Sequence, residues 1–331
     1  MSERTDLKRR GLLGAAGVGL LAMPAIVTRR AYAETETDRP ASQGPVELDA
    51  KQLRLGSFKI VVVSDGASIQ PRPWETYGLD QPQDSVRSLL DQNFLPLDRF
   101  AVSYAPAIID TGSDIVLTDT GFGEATRASG SGRLLAGLTA AGYAPEQVTI
   151  VALSHLHRDH IGGLMEGGRP TFPNARYVVN QVEYDFWVSS ERVGTPAEEN
   201  HKMVLANVVP LAPKMTFLKD GQDVVPGMTA MLAAGHSPGH MVFHLESQDK
   251  RLMMISDSVV HYVLSLQRLD WQVRFDMDKP AAAETRKRVL DMIATDRLPF
   301  FGYHMPHPSV GFLDRRDTGY YFVPETYQFD I

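Results

Sequence analysis

The stretch SHLHRDHIGG, residues 154–163, sets three histidines and an aspartate within the six positions from His155 to His160. One histidine in such a place is ordinarily a packing residue. Three with an aspartate, closed by Gly162 and Gly163, read as a ligand set. The preceding run VTIVAL (148–153) is short, apolar and β-branched, so a strand ends at Ser154 and His155 opens the loop after it. Along extended backbone, residues i and i+2 face the same way, which lets His155 and His157 grip one ion. Asp159 and His160 follow at the turn and can point to a second site beside the first. The glycine pair lets the chain fold tightly back. Any fold for this chain must therefore bring a strand end against other loops that bear ligands.

Sulfur cannot supply those ligands, because the 331 residues include no cysteine. A transition metal must be held by histidine and carboxylate. Two ions that share one carboxylate call for about seven side chains, since a catalytic zinc takes about three protein ligands and a water. Most of the ten histidines lie in segments suited to this. AGHSPGH carries His236 and His240 after an apolar run, MMISDS places Asp257 at a strand end, and FFGYHMPHPS carries His304 and His307.

The remaining pattern reads as a layered α/β protein. Strands are expected in FKIVVVSDG (58–66), APAIIDTGSDIVLTDTG (105–121), ARYVVNQVEY (175–184), MTAMLAAG (228–235), MVFHLES (241–247) and RLMMISD (251–257). GRLLAGLTAAGY (132–143) has leucines at helical spacing. DKPAAAETRKRVLDMIATD (278–296) reads as a helix capped by Asp278, with Pro280 in its first turn and Val289, Leu290 and Ile293 on one face. At 43% hydrophobic and 22% charged residues the chain has ample core material, and its formal charge of −7 argues against a nucleic-acid or anionic-membrane binder. Residues 1–33 read as a cleaved twin-arginine signal: Arg9 and Arg10, an uncharged run from Gly11 to Val27, and AYA before Glu34. That run is too short and glycine-rich for a permanent anchor. Residues 34–50 read as a linker or N-terminal arm and 51–331 as the domain that carries the ligand segments, with a periplasmic or secreted destination.

In this order, SHLHRDHIGG, GHSPGH, ISDS and GYHMP resemble the metal motifs of the metallo-β-lactamase superfamily. GYHMPHPSVGF and EYDFW suggest its methyl parathion hydrolase branch. The resemblance implies an αβ/βα sandwich with two metals at one edge. It implies that His155, His157 and His236 hold one ion, that Asp159, His160 and His304 hold the other, and that Asp257 bridges them. His240 then orients a ligand rather than being one. Zinc is the first expectation, with manganese, iron or cobalt admissible. Two adjacent ions lower the pKa of a water held between them and polarise a C=O or P=O, so Asp159 and Asp257 belong to the catalytic centre.

The expected activity is hydrolysis of small neutral organophosphate triesters, aryl esters or lactones, with a lactonase lacking phosphotriesterase activity as the alternative. A homodimer is an open option. Trp187 and Phe186 are expected to wall the pocket for an aromatic leaving group, and the loop 121–132, with Phe122, to border it. Many lactonases of this superfamily carry a tyrosine three residues after the bridging aspartate. Here that position is Val260, which would leave room for a phosphorus centre, and Tyr262 is out of register. His261 is a further candidate for the pocket.

Overall fold

A computed structural model describes residues 50–326, all within one compact unit, Pro45–Ile331. The expected signal, and the arm except for Ala50, lie outside the described residues. The described residues begin with β1 (Ala50–Leu55), β2 (Phe58–Val63), the antiparallel pair β3 (Gly66–Pro71) and β4 (Arg99–Tyr104), β5 (Ala107–Asp110), β6 (Ile115–Thr118) and β7 (Ile150–Ala152). A short ladder of β8 (Met165–Glu166) and β9 (Arg169–Pro170) precedes β10 (Arg176–Asn180) and β11 (Met215–Leu218). The second half holds β12 (Asp223–Val225), β13 (Met228–Leu232), β14 (Met241–Ser247), β15 (Lys250–Met254), β16 (Phe300–Phe301), β17 (Val310–Arg316) and β18 (Gly319–Pro324).

These strands make two seven-stranded mixed sheets, ordered β1-β2-β5-β6-β7-β10-β11 and β12 through β18 in sequence. Strand periodicity explains the layers. On β2, Ile60 and Val62 point into the core between the sheets, while Val61 and Val63 point outward to Leu134 and Leu138 of the helix Leu134–Ala140. On β14, Met241, Phe243 and Leu245 face the same inter-sheet core, and Val242 packs outward with Val289, Leu290 and Ile293 of a long helix, Lys279–Asp296. The central strands β2, β5, β6, β7 and β10 are buried on both faces, so they are apolar runs rather than strict alternations. The result is the expected αβ/βα sandwich.

The 278–296 helix keeps its predicted cap, the Asp278 side chain accepting the Ala281 N–H at 3.0 Å. The 175–184 run does not stay a strand. Asn180 ends β10 and accepts the Val182 N–H, capping a helix over Gln181–Val188 that carries EYDFW.

Candidate metal centre

The ligand loops follow strand ends on both sheets at one edge of the sandwich. β7 leads through Leu153 and Ser154 into His155 and His157, and a single helical turn, Arg158–Ile161, carries Asp159 and His160. His236 lies between β13 and β14, Asp257 follows β15, and His304 follows β16. Gly162 and Gly163 are needed for a different reason from the one expected. Neither has a left-handed backbone, but a Cβ would stand 2.2 Å from the Phe122 carbonyl oxygen at Gly162 and 2.1 Å from that of Thr120 at Gly163. They let the motif pack against the 120–122 loop.

Among the described residues, three groups could each hold an ion: His155, His157 and His236; Asp159, His160 and His304; and His155, His160 and Asp257. The Nδ1 of His157 and the Nε2 of His236 are 2.9 Å apart. The Asp257 carboxylate stands between the first two groups, 3.3 Å from His236 Nε2, 3.3 Å from His160 Nε2 and 3.1 Å from His304 Nε2. The donor set fits divalent cations. The Nε2 atoms of His155 and His160 are buried without a hydrogen-bond partner, a costly condition unless a ligand takes the lone pair.

The far nitrogens explain the aim of the rings. His160 Nδ1 donates to Asp119 at 3.0 Å, His236 Nδ1 to Asp276 at 3.0 Å, and His304 Nδ1 to the Ser103 carbonyl at 2.8 Å. Each bond fixes the tautomer and leaves Nε2 bare toward the centre. His240 plays the orienting part expected of it: Nδ1 donates to the Ala233 carbonyl and Nε2 accepts the Asp257 N–H, both at 3.1 Å. Buried Glu183 ties two ligand loops together by accepting from Leu156 N, Ser237 Oγ and Gly239 N. Tyr303 stacks on His160 and donates its hydroxyl to the Asp159 carbonyl. Asp119, Glu183, Asp276 and Tyr303 were not singled out from the sequence. The signal for Asp119 was its place at a strand end in LTDTG.

Electrostatics favour cations here. Burial and neighbouring histidines hold His155 well below its ordinary pKa, and burial with His236 brings His157 down to about 3, so both stay neutral and able to bind a cation. Burial opposes charge on His160 and His304, yet Asp257 and Asp159 raise both. A field that holds protons on those two rings would equally favour a divalent ion in their place.

The metallo-beta-lactamase superfamily model matches residues 106–322. The chain belongs to the metallo-β-lactamase superfamily. It is a metal-dependent hydrolase. An N-acyl homoserine lactonase of Bacillus cereus is 24% identical over 209 residues, 60% of this chain and 76% of that protein. N-acyl homoserine lactonase AttM of Agrobacterium fabrum is 30% identical over 130 residues, 36% of this chain and 44% of that one. Among solved structures, AidC, a dizinc quorum-quenching lactonase, superposes with a TM-score of 0.80 at 24% identity, covering 85% of this chain and 99% of its own. The hydrolase AbOPH gives a TM-score of 0.77 at 25% identity with the same coverage.

In this superfamily member a cavity of about 610 Å³ opens on His157, Asp159, His236, Asp257 and His304. Its walls include Tyr77, Phe100, Val102, Tyr104, Phe122 and Val260, so the 121–132 loop and Val260 take the places expected of them. Trp187 and Phe186 do not line it. Trp187 is buried behind His157, its indole N–H donating to Glu183 at 2.8 Å, because positions 183 and 187 share the inward face of a helix. Phe186 lies on another face under the Arg192 guanidinium. His261 is also behind the wall. Its Nδ1 accepts the N–H groups of Val263 and Leu264, and burial lowers its pKa to about 3.

Proposed function

We propose that this chain is a two-zinc lactonase that opens N-acyl homoserine lactones. The observation that carries the reading is the cavity: a polar floor of ligand-type side chains under a wall of aromatic and aliphatic ones. Such a site suits a substrate with a compact ester at one end and an apolar tail at the other. His155, His157 and His236 would hold one zinc, Asp159, His160 and His304 the other, and Asp257 both. Bound ions would polarise the lactone carbonyl and lower the pKa of a water beside it. The chain's own part is to orient the rings through Asp119, Asp276 and Ser103, and to desolvate the acyl tail along Phe100, Val102 and Phe122. The curated lactonases similar to this chain support the substrate class.

The phosphotriester reading loses the aromatic wall on which it partly rested, since Trp187 belongs to the core. The methyl parathion hydrolase branch gains nothing from the relatives named above. The test is kcat/KM of the zinc-loaded enzyme on acyl-homoserine lactones of rising chain length, a δ-lactone, an aryl ester, an aryl phosphotriester and a glutathione thioester. Acyl-homoserine lactones should lead, with longer tails favoured. A lead for the phosphotriester or the thioester would overturn the proposal.

A further inference from the structure

The segment 66–104 contributes a small two-stranded sheet whose one face looks into the cavity. Alternate residues share a strand face, and Phe100, Val102 and Tyr104 of β4 line the cavity together with Ser68 and Gln70 of β3. In the register, Ser68 pairs with Val102, which puts Tyr104 diagonally beside it. The Tyr104 hydroxyl lies 2.7 Å from Ser68 Oγ, and the Gln70 side-chain amide donates to that same Oγ at 3.2 Å. The ring of Tyr104 stands edge-on to His304, centroids 5.7 Å apart, so the phenol flanks the Asp159–His160–His304 group. The strand holds that position firmly, because the carbonyl of the preceding residue, Ser103, accepts from His304 Nδ1.

A hydroxyl has one hydrogen to give. Gln70 donates to Ser68, which leaves Ser68 free to donate to Tyr104 and Tyr104 free to donate onward. A lactone ring brings acceptors and no donor, so this sense of the chain is the one that gains a bond when substrate enters. We infer that Tyr104 is a catalytic residue: it donates a hydrogen bond to a lactone oxygen that gains negative charge as the ring opens, and Ser68 and Gln70 position its hydroxyl. The inference rests on the lactonase reading and names the group that serves it. Val260, which also lines the cavity, can offer no such donor.

The experiment is a mutant cycle in the zinc-loaded enzyme, with N-hexanoyl-homoserine lactone as substrate. Tyr104→Phe should lower kcat about 10- to 100-fold, as loss of a donor to developing charge does, with KM held within about twofold. Two ions per chain and the thermal midpoint should be retained. Ser68→Ala should lower kcat about 3- to 10-fold, the effect of losing one neutral hydrogen bond. In the Tyr104→Phe background the serine change should add nothing, because its target is gone. A purely structural role for Ser68 would instead give additive losses and overturn its positioning part. A wild type inert toward lactones overturns the function reading and this inference together. An active wild type matched in kcat by Tyr104→Phe overturns this inference alone.

Discussion

Four histidines crowd one carboxylate. Asp257 lies 3.1–4.0 Å from the Nε2 atoms of His155, His160, His236 and His304. Burial opposes its ionisation, but the charges of His304, His160 and His236 hold it well below the ordinary range. Asp257→Ala should therefore empty both ion positions together. Metal analysis after dialysis should find less than one ion per chain, whereas His307→Ala should keep two. Asp276 acts on one side only. It accepts from His236 Nδ1 and pairs with buried Arg286 at 2.9 Å. Asp276→Asn should weaken one ion by about 10- to 100-fold, the usual cost of losing an orienting partner, and spare the other. Equal loss of both ions from Asp276→Asn would refute the division of ligands. The candidate ligands were legible in the sequence because four of them lie in one six-residue window. Their orienting carboxylates were not, because each comes from a distant segment and an isolated aspartate has many uses.

At the scale of elements, the loop from Gly121 to Leu134 shows what the sequence could not convey. Asp65, just after β2, is fully buried and accepts the N–H groups of Phe122, Gly132 and Leu134 at 3.0, 3.1 and 2.9 Å. One carboxylate thus pins both ends of the loop that forms a wall of the cavity. Asp65→Ala would orphan three backbone donors, each costing about 1–3 kcal/mol if it stays dry. The variant should lower the thermal midpoint and speed hydrogen exchange at those three amides. Burial raises the Asp65 pKa from 3.8 to about 6, the backbone donors offsetting this only in part. Between those values the folded chain holds a proton that the unfolded chain has released, so the group's contribution to stability falls as pH rises. The stability gap between wild type and Asp65→Ala should narrow from pH 4 to 6 and stay constant above. A gap that widens over that range would contradict the assignment. The long capped helix at Lys279–Asp296 was legible because cap, proline and apolar spacing agree there. EYDFW misled because five residues do not reveal which face of a helix is inward, and β3 with β4 escaped notice because GASIQP carries little apolar patterning and the alternation of Phe100, Val102 and Tyr104 in RFAVSY is short.

Residues 50–326 form two half-sandwiches whose loops meet at the ligand edge. The sheet containing β7 supplies His155, His157, Asp159 and His160, and the sheet containing β14 supplies His236, Asp257 and His304. Each proposed ion would draw ligands from both sheets, so ion binding should act across the core as well as on the chemistry. A ligand that binds only the folded state stabilises it by about 2.7 kcal/mol at one hundred times its Kd. For a domain of this size about 1 kcal/mol moves the midpoint by roughly 2–4 °C. Chelation should therefore lower the thermal midpoint of the wild type by roughly 5–10 °C, and zinc should restore it. Asp257→Ala, already short of metal, should respond little to chelator. The separate sheets give the contrast its meaning: both cores between and outside the sheets are complete without an ion, so the apo protein should still unfold in one cooperative transition. Metal-free wild type with an unchanged midpoint would show that the ions do not bridge the two sheets. Unfolding of the apo protein in two separated steps would show that they are all that joins them.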